Sequence, residues 1–450
     1  MIDFSHIDRF SWKYDLYNRY LRLNHNYFYY KEYRIVNKEN IPPKGEPTFI
    51  YANHQNGLTD ALIILYMFDD KRQPVFIARG DIFKKDTVAK LLRFLKILPT
   101  FRDRDGNRDD VRSNSNTFHI AADVLKRGGT LAMFPEAAHQ HGNYLGSFKK
   151  GFPRVAFYAE EKFDSRGIKV LPVNIYYDNY YNFRSKVVLT VGEPFFIDDL
   201  MPVYEKEPNQ AYLELNERAR ERLKAITLDE GPDFFEEYDI IRKMLHKERL
   251  ISKGKDPGDI YARKLEDMEI VAELDHIRQE DQARFEGLMN MAREYDQGVR
   301  KLGIRDWLVN RKIKMSGLLG RALLLLLTFP FFLFGWINNI LPFSFPQLLK
   351  NRIKDKQLHS SMNFAPSLVI TFPLMYLTLF ILSWVLSGKL WFALLYVLAA
   401  FGSLFIFYHY KIAFLKFKGA WRYYRLQKKQ NPLLRQLEEI KRKIQRYGDK

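Results

Sequence analysis

The chain has 450 residues, more than one ordinary domain, and 47 % of them are apolar, enough for a sizeable core. It has no cysteine, which excludes disulfides, cysteine-ligated zinc, iron–sulfur clusters and a thiol nucleophile. Its 71 Lys+Arg against 53 Asp+Glu leave a charge of +18, which calls for an anionic partner: nucleic acid, an anionic membrane or a phosphorylated substrate.

No apolar run in residues 1–50 is long enough for a signal peptide, so the N-terminus is expected to stay in the cytoplasm. Residues 1–30 are crowded with aromatics, among them Phe10, Trp12, Tyr14, Tyr17 and Tyr20, interleaved with Lys and Arg. That composition fits an interfacial amphipathic helix or a helix packed on the next domain. From 31 to 200, short β-rich runs closed by polar turns recur at Thr48–Ala52, Pro74–Ala78, Thr130–Phe134, Val170–Ile175 and Val187–Val191. Helix-period stretches at Asp60–Met67, Ala89–Lys96, Thr117–Lys126 and Gly151–Phe163 separate several of them. The alternation predicts an α/β domain, a mixed, mostly parallel sheet flanked by helices. Residues 201–310 change character: Tyr212–Ala225, Pro232–Glu248 and Asp259–Arg300 are charged with helical periodicity. They predict an α-helical region exposed on one face.

Residues 311–410 hold three uncharged runs, at 322–349, Ser360–Gly388 and Leu390–Tyr410. A bilayer core takes about 20 apolar residues of helix, so each is long enough. The first is flanked by Arg311, Lys312, Lys314 and Arg321 on one side and by Lys350, Arg352, Lys354 and Lys356 on the other. Two basic ends prefer the same, cytoplasmic side. Pro330, Gly335, Asn338, Asn339 and Pro342 interrupt the run, so a re-entrant segment is expected over 322–349. Over 361–410 a transmembrane hairpin is expected, its turn at Ser387, Gly388 and Lys389. The tail, 411–450, carries 13 Lys+Arg against three acids, a polybasic segment suited to anionic lipid headgroups. Nucleic acid is not expected, because no zinc-finger, helix-turn-helix or RNA-motif pattern is present.

Four pieces at the ends of predicted strands carry chemistry. Asn53-His54-Gln55-Asn56-Gly57-Leu58-Thr59-Asp60 follows a buried strand and precedes a helix. A histidine beside a carboxylate makes a general base at neutral pH, the carboxylate fixing the tautomer. Residues six apart on a regular helix do not meet, so the pair needs His54 in the turn and Asp60 at the helix start, with Gly57 allowing the turn. Arg102 and Arg104 fall in a polar turn after Leu98, a pattern able to grip phosphate. Asp103 and Asp105 before Gly106 lack the other ligands of a calcium loop. Phe134-Pro135-Glu136-Ala137-Ala138-His139 leaves another strand, with Lys149 and Lys150 downstream; His139 and His141 have no third metal ligand nearby in sequence, so no metal is expected. Val170-Leu171-Pro172-Val173-Asn174 is a strand with a proline, which suits an edge or a wall.

In this order and spacing the four pieces resemble the glycerolipid acyltransferase family, of which lysophosphatidate acyltransferase is the type. The resemblance covers roughly 45–195. It implies transfer of a fatty acyl group from acyl-CoA or acyl carrier protein, without a bound cofactor, to a lysophospholipid hydroxyl in phospholipid biosynthesis. It further implies His54 as base, Asp60 as its orienting partner, Arg102 and Arg104 as phosphate grips, Glu136 as acceptor-site carboxylate and Pro172 on the acyl side. The chain departs from the family twice. Asp60 is one residue further from His54, so the loop must bulge; and Ala137-Ala138-His139 stands where Gly, often Thr and Arg, are expected. The second departure leaves Lys149 or Lys150 as replacements for phosphate binding, with His139 among the expected substrate-binding residues. It also keeps three alternatives open: glycerol 3-phosphate as acceptor, a non-phosphate lipid, or a membrane scaffold with a dead acyltransferase fold. Catalysis is expected at the cytoplasmic face of an integral membrane protein.

Overall fold

Runs rich in β-branched and aromatic residues pair into a seven-stranded sheet: β1 Glu32–Val36, β2 Thr48–Ala52, β3 Val75–Arg79, β4 Ile97–Thr100, β5 Thr130–Met133, β6 Lys169–Tyr177 and β7 Lys186–Val191. The computed structural model describes residues 3–100, 108–162, 167–350, 358–364 and 370–447. They fall into two compact units, Met1–Pro232 and Asp233–Lys450.

In the first unit the strand order is β1-β7-β6-β2-β5-β3-β4. The five strands β6, β2, β5, β3 and β4 are mutually parallel, whereas β7 runs antiparallel to β6 and parallel to β1. The mixed, mostly parallel sheet is therefore present. Two strands escape the sequence pattern. β1 is only half buried and reads Glu-Tyr-Arg-Ile-Val, and β4 is a four-residue piece containing Pro99. The helices are α1 Trp12–Leu23, α2 Leu58–Leu65, α3 Asp86–Phe94, α4 Arg108–Lys126, α5 Gly151–Glu160, α6 Met201–Lys206 and α7 Pro208–Lys224. Side chains alternate across β2, so Phe49 and Tyr51 face one core. That core also holds Leu125, Phe152 and Leu215, which brings α4, α5 and α7 onto one face. Ile50, Ala132 and Leu171 on the other face are equally buried. A parallel sheet covered on both sides is the outcome expected of crossover helices.

The register fixes where chemistry can collect. Tyr51 of β2 lies opposite Met133 of β5, so the loops leaving both strands emerge at the same edge. That edge, at the carboxyl ends of parallel strands, is where α/β proteins bind ligands.

Pro172 corrects an expectation: β6 is an interior strand, between β7 and β2. The proline is tolerated because the ladder with β7 starts only at Val173. Its carbonyl accepts from Gly192 N at 2.9 Å, and no N–H is demanded of it on that side. The first helix has one buried and one exposed face. In α1, Tyr14 and Leu21 are buried, while Trp12, Leu16 and Leu23 stand exposed.

The second unit is helical: α8 Phe235–Ser252, α9 Ile260–Glu280, α10 Gln282–Leu302, α11 Met315–Lys350, α12 Leu358–Phe364, α13 Phe372–Ser387, α14 Leu390–Lys428 and α15 Pro432–Tyr447. Two of these, α11 and α14, are long and apolar enough to cross a membrane. The break expected near Asn338 is not seen. α11 is one helix of 36 residues with Pro330, Pro342 and Pro346 inside it. The asparagines act across helices instead of ending one: Tyr396 donates to Asn338 Oδ1 at 2.9 Å, and Tyr376 to Asn339 Oδ1 at 2.8 Å. Asn339 in turn donates to Ala400 O at 3.2 Å. Such bonds join helices that share an apolar surrounding. At Gly388, φ is +65°, and the chain turns from α13 into α14 as a helical hairpin.

Candidate active site

The turn from β2 into α2 builds the central pair. Gly57 precedes the helix with φ +53° and ψ −125°, a conformation that L-residues avoid. The kink absorbs the extra residue between histidine and aspartate and puts Asp60 in the first helical turn. From there Asp60 Oδ2 meets His54 Nδ1 at 2.9 Å. The same oxygen accepts from Gln55 N at 2.8 Å and Asn56 N at 2.7 Å, and Oδ1 accepts from the hydroxyl of Tyr177. The carboxylate is wholly buried, so these donors replace the water it has lost. Every other partner of Oδ2 is a donor, so Nδ1 is read as carrying the proton and Nε2 as the free acceptor.

The imidazole keeps 15 % of its side chain exposed, which leaves an edge open to a substrate. Phe134 stacks on it with ring centroids 4.1 Å apart, and His139 leans against it at 4.2 Å. The strand end beneath it is clamped. Asn53 Nδ2 donates to Ile175 O at 2.9 Å, and Ile175 N donates to Asn53 Oδ1 at 2.8 Å. A side chain thus continues the β2–β6 ladder up to His54.

Glu136 joins the loops after β5 and β2. Its Oε1 accepts from His54 N at 3.0 Å and its Oε2 from Gly146 N at 2.7 Å. Burial pushes its carboxyl up to about 7, against the downward pull of those two amides and Gln140. Both oxygens accept from backbone amides, so this carboxylate braces the histidine loop. Lys149 closes the same loop through its amide, which donates to Pro135 O at 2.9 Å. Its ammonium donates to Ser147 at 2.6 Å, while that of Lys150 turns to Asn209 of α7. Pro172 lies within the sheet, opposite Tyr51. Arg102 and Arg104 lie outside the described residues. Among the described residues, no group of three or more His, Asp or Glu side chains is arranged to hold a metal.

Sequence reasoning missed Tyr177, Phe134 as a stacking partner, and the amides of Gln55 and Asn56. Tyr177 is 117 positions from Asp60, so no local spacing signals it; the aromatic run Tyr176-Tyr177 ending β6 is the nearest hint.

The family model for acyltransferases matches residues 32–176, the segment that carries this edge of the sheet. Over residues 32–176 the chain is similar to acyltransferases. A probable 1-acyl-sn-glycerol-3-phosphate acyltransferase of Mycoplasma genitalium is 30 % identical over 158 residues, covering 34 % of this chain and 53 % of that protein. The 1-acyl-sn-glycerol-3-phosphate acyltransferase of Borreliella burgdorferi is 26 % identical over 196 residues, 44 % of this chain and 68 % of its own. The match thus spans about half the length of the Mycoplasma relative. The crystal structure of the 1-acyl-sn-glycerophosphate acyltransferase PlsC of Thermotoga maritima is 25 % identical, covers 47 % of this chain and 80 % of its own, and superposes with a TM-score of 0.33.

One departure from the pattern that this segment resembles has a physical signature. Ala137, where the family has Gly, sits at φ +53°, in the left-handed region. That conformation costs an L-residue about 1–2 kcal/mol, only part of which is offset by the lower unfolded-chain entropy of alanine. Ala137→Gly is therefore expected to raise stability by about 1 kcal/mol, read as an upward shift of the thermal midpoint of the purified protein. An unchanged or lower midpoint refutes strain at this turn.

Proposed function

We propose that this chain is a membrane-associated O-acyltransferase that moves a fatty acyl group from a thioester donor to the hydroxyl of 1-acyl-glycerol 3-phosphate. The observation that carries the reading is the 2.9 Å contact of His54 Nδ1 with a buried Asp60, at the sheet edge of an acyltransferase domain. In the proposed reaction His54 Nε2 takes the proton of the acceptor hydroxyl as its oxygen attacks the thioester carbonyl. The new C–O ester bond forms, the C–S bond breaks, and the thiolate leaves with the proton that the imidazolium returns. Asp60 holds the ring and offsets its transient positive charge. No covalent acyl-protein stage is required. Donor identity, acyl-CoA or acyl carrier protein, belongs to the same proposal, as do Arg102 and Arg104 as phosphate grips.

Membrane attachment draws support from two sources. α11 and α14 expose long apolar surfaces, and α1 turns Trp12, Leu16 and Leu23 outward on the catalytic unit. We place the catalytic unit on the cytoplasmic side by the basic flanks of the apolar runs.

The test supplies one thioester donor with three acceptors in vesicles: lysophosphatidate, glycerol 3-phosphate and a lipid with a free hydroxyl but no phosphate. Thiol release is expected to be fastest with lysophosphatidate. Preference for glycerol 3-phosphate or for the phosphate-free lipid reassigns the acceptor. No thiol release with any of them leaves only a membrane scaffold.

A further inference from the structure

The helical unit contains a cavity of about 880 Å³ between the start of α11 and the later part of α14. The two helices are antiparallel there: Phe332 stacks on Tyr410 at 4.3 Å, while further along Asn339 reaches Ala400. Their contact is close, because a Cβ on Gly335 would lie 2.5 Å from Ser403 O. Toward their other ends the helices leave the gap that forms the cavity. Its wall is apolar at Leu324, Leu325, Phe405 and Ile406, and its basic groups are Arg311, Arg321 and Lys416. Among the described residues no Asp or Glu lines it. Among the described residues none of the three cations has a carboxylate partner. Arg311 lies over the ring of Trp307, an aromatic type suited to the level where hydrocarbon meets water.

The position along the sequence agrees with that level. The uncharged stretch of α11 begins directly after Arg321, and that of α14 ends at Tyr410. The cavity therefore straddles the step from apolar to basic surface on both helices. Its volume is within the range of small-molecule sites, roughly 300–1,000 Å³, and far beyond what a lone phosphate fills.

We propose that this cavity binds a phospholipid with an anionic headgroup. Arg311, Arg321 and Lys416 hold the phosphate, and the acyl chains run along Leu324, Leu325 and Phe405. Charge-assisted bonds from guanidinium and ammonium to phosphate give the headgroup preference. The inference stands apart from acyl transfer, because binding is read without turnover.

The experiment uses the full chain in detergent micelles and counts bound lipid by native mass spectrometry. Dioleoyl phosphatidate, dioleoyl phosphatidylcholine and inorganic phosphate are titrated separately. One phosphatidate is expected to be retained at least tenfold more tightly than phosphatidylcholine, with millimolar phosphate failing to displace it. The combined variant Arg311→Gln, Arg321→Gln, Lys416→Gln is expected to lose this preference, at about fivefold per cation. Leu324→Trp keeps the cations and narrows the apolar wall; it is expected to weaken phosphatidate about fivefold, and it decides the matter where the triple variant does not fold. Equal retention of the two lipids, or unchanged phosphatidate binding in both variants, overturns the proposal. Displacement by inorganic phosphate reassigns the cavity to a free anion.

Discussion

Replacing His54 with alanine is expected to lower thiol release by about 10²–10⁴-fold, the usual loss when a general base is removed. The substitution leaves the surrounding turn intact. Asp60 retains the amides of Gln55 and Asn56 and the hydroxyl of Tyr177, so the buried carboxylate stays satisfied without the imidazole. Glu136 bonds the backbone of residue 54, not its side chain, and that tie survives as well. The variant is therefore expected to fold and to float with vesicles as the parent does. Turnover close to that of the parent would remove His54 from the chemistry.

Asp60→Asn separates charge from orientation. With the amide oxygen in place of Oδ2, the residue still accepts from His54, Gln55 and Asn56. Its NH₂ then faces Tyr177, whose hydroxyl can turn to accept. Ring placement is conserved, and what disappears is the negative charge 2.9 Å from an imidazole that becomes positive in the transition state. At an effective dielectric of about 20, a charge pair at that range is worth at most about 6 kcal/mol, so a loss of roughly 10²–10⁴-fold in turnover is expected with little change in acceptor KM. Thermal stability is expected to fall by about 1–3 kcal/mol, because the buried Tyr177 hydroxyl loses the oxygen that accepted its proton. A variant as fast as the parent would reduce Asp60 to a tether for the turn.

How much of this was legible in the sequence depends on how local each feature is. β2, β5 and β7 lie where the runs Thr48–Ala52, Thr130–Phe134 and Val187–Val191 place them, because strands buried on both faces advertise themselves as unbroken apolar stretches. β1 could not be read that way; a half-buried edge strand with Glu32 and Arg34 looks like any charged segment. The His54–Asp60 pair was legible because six residues and one glycine contain the whole turn. Tyr177 was not, because its partnership with Asp60 exists only once β6 lies beside β2. Glu136 was legible as part of the site, but nothing in Phe-Pro-Glu tells that both oxygens accept from backbone amides. In the helical unit, Asn338 and Asn339 read as interruptions because their tyrosine partners lie on other helices.

α14 runs on without interruption from Leu390 to Lys428, well past the last residue of its uncharged stretch, Tyr410. At 1.5 Å per residue, the portion from Lys411 to Lys428 extends the rod by roughly 27 Å, close to a second membrane thickness. α15 folds back at its far end, where Tyr423 donates to Glu438 and Leu437 packs against Gly298 of α10. One continuous helix thus carries both the uncharged stretch and the point where α15 turns back onto α10.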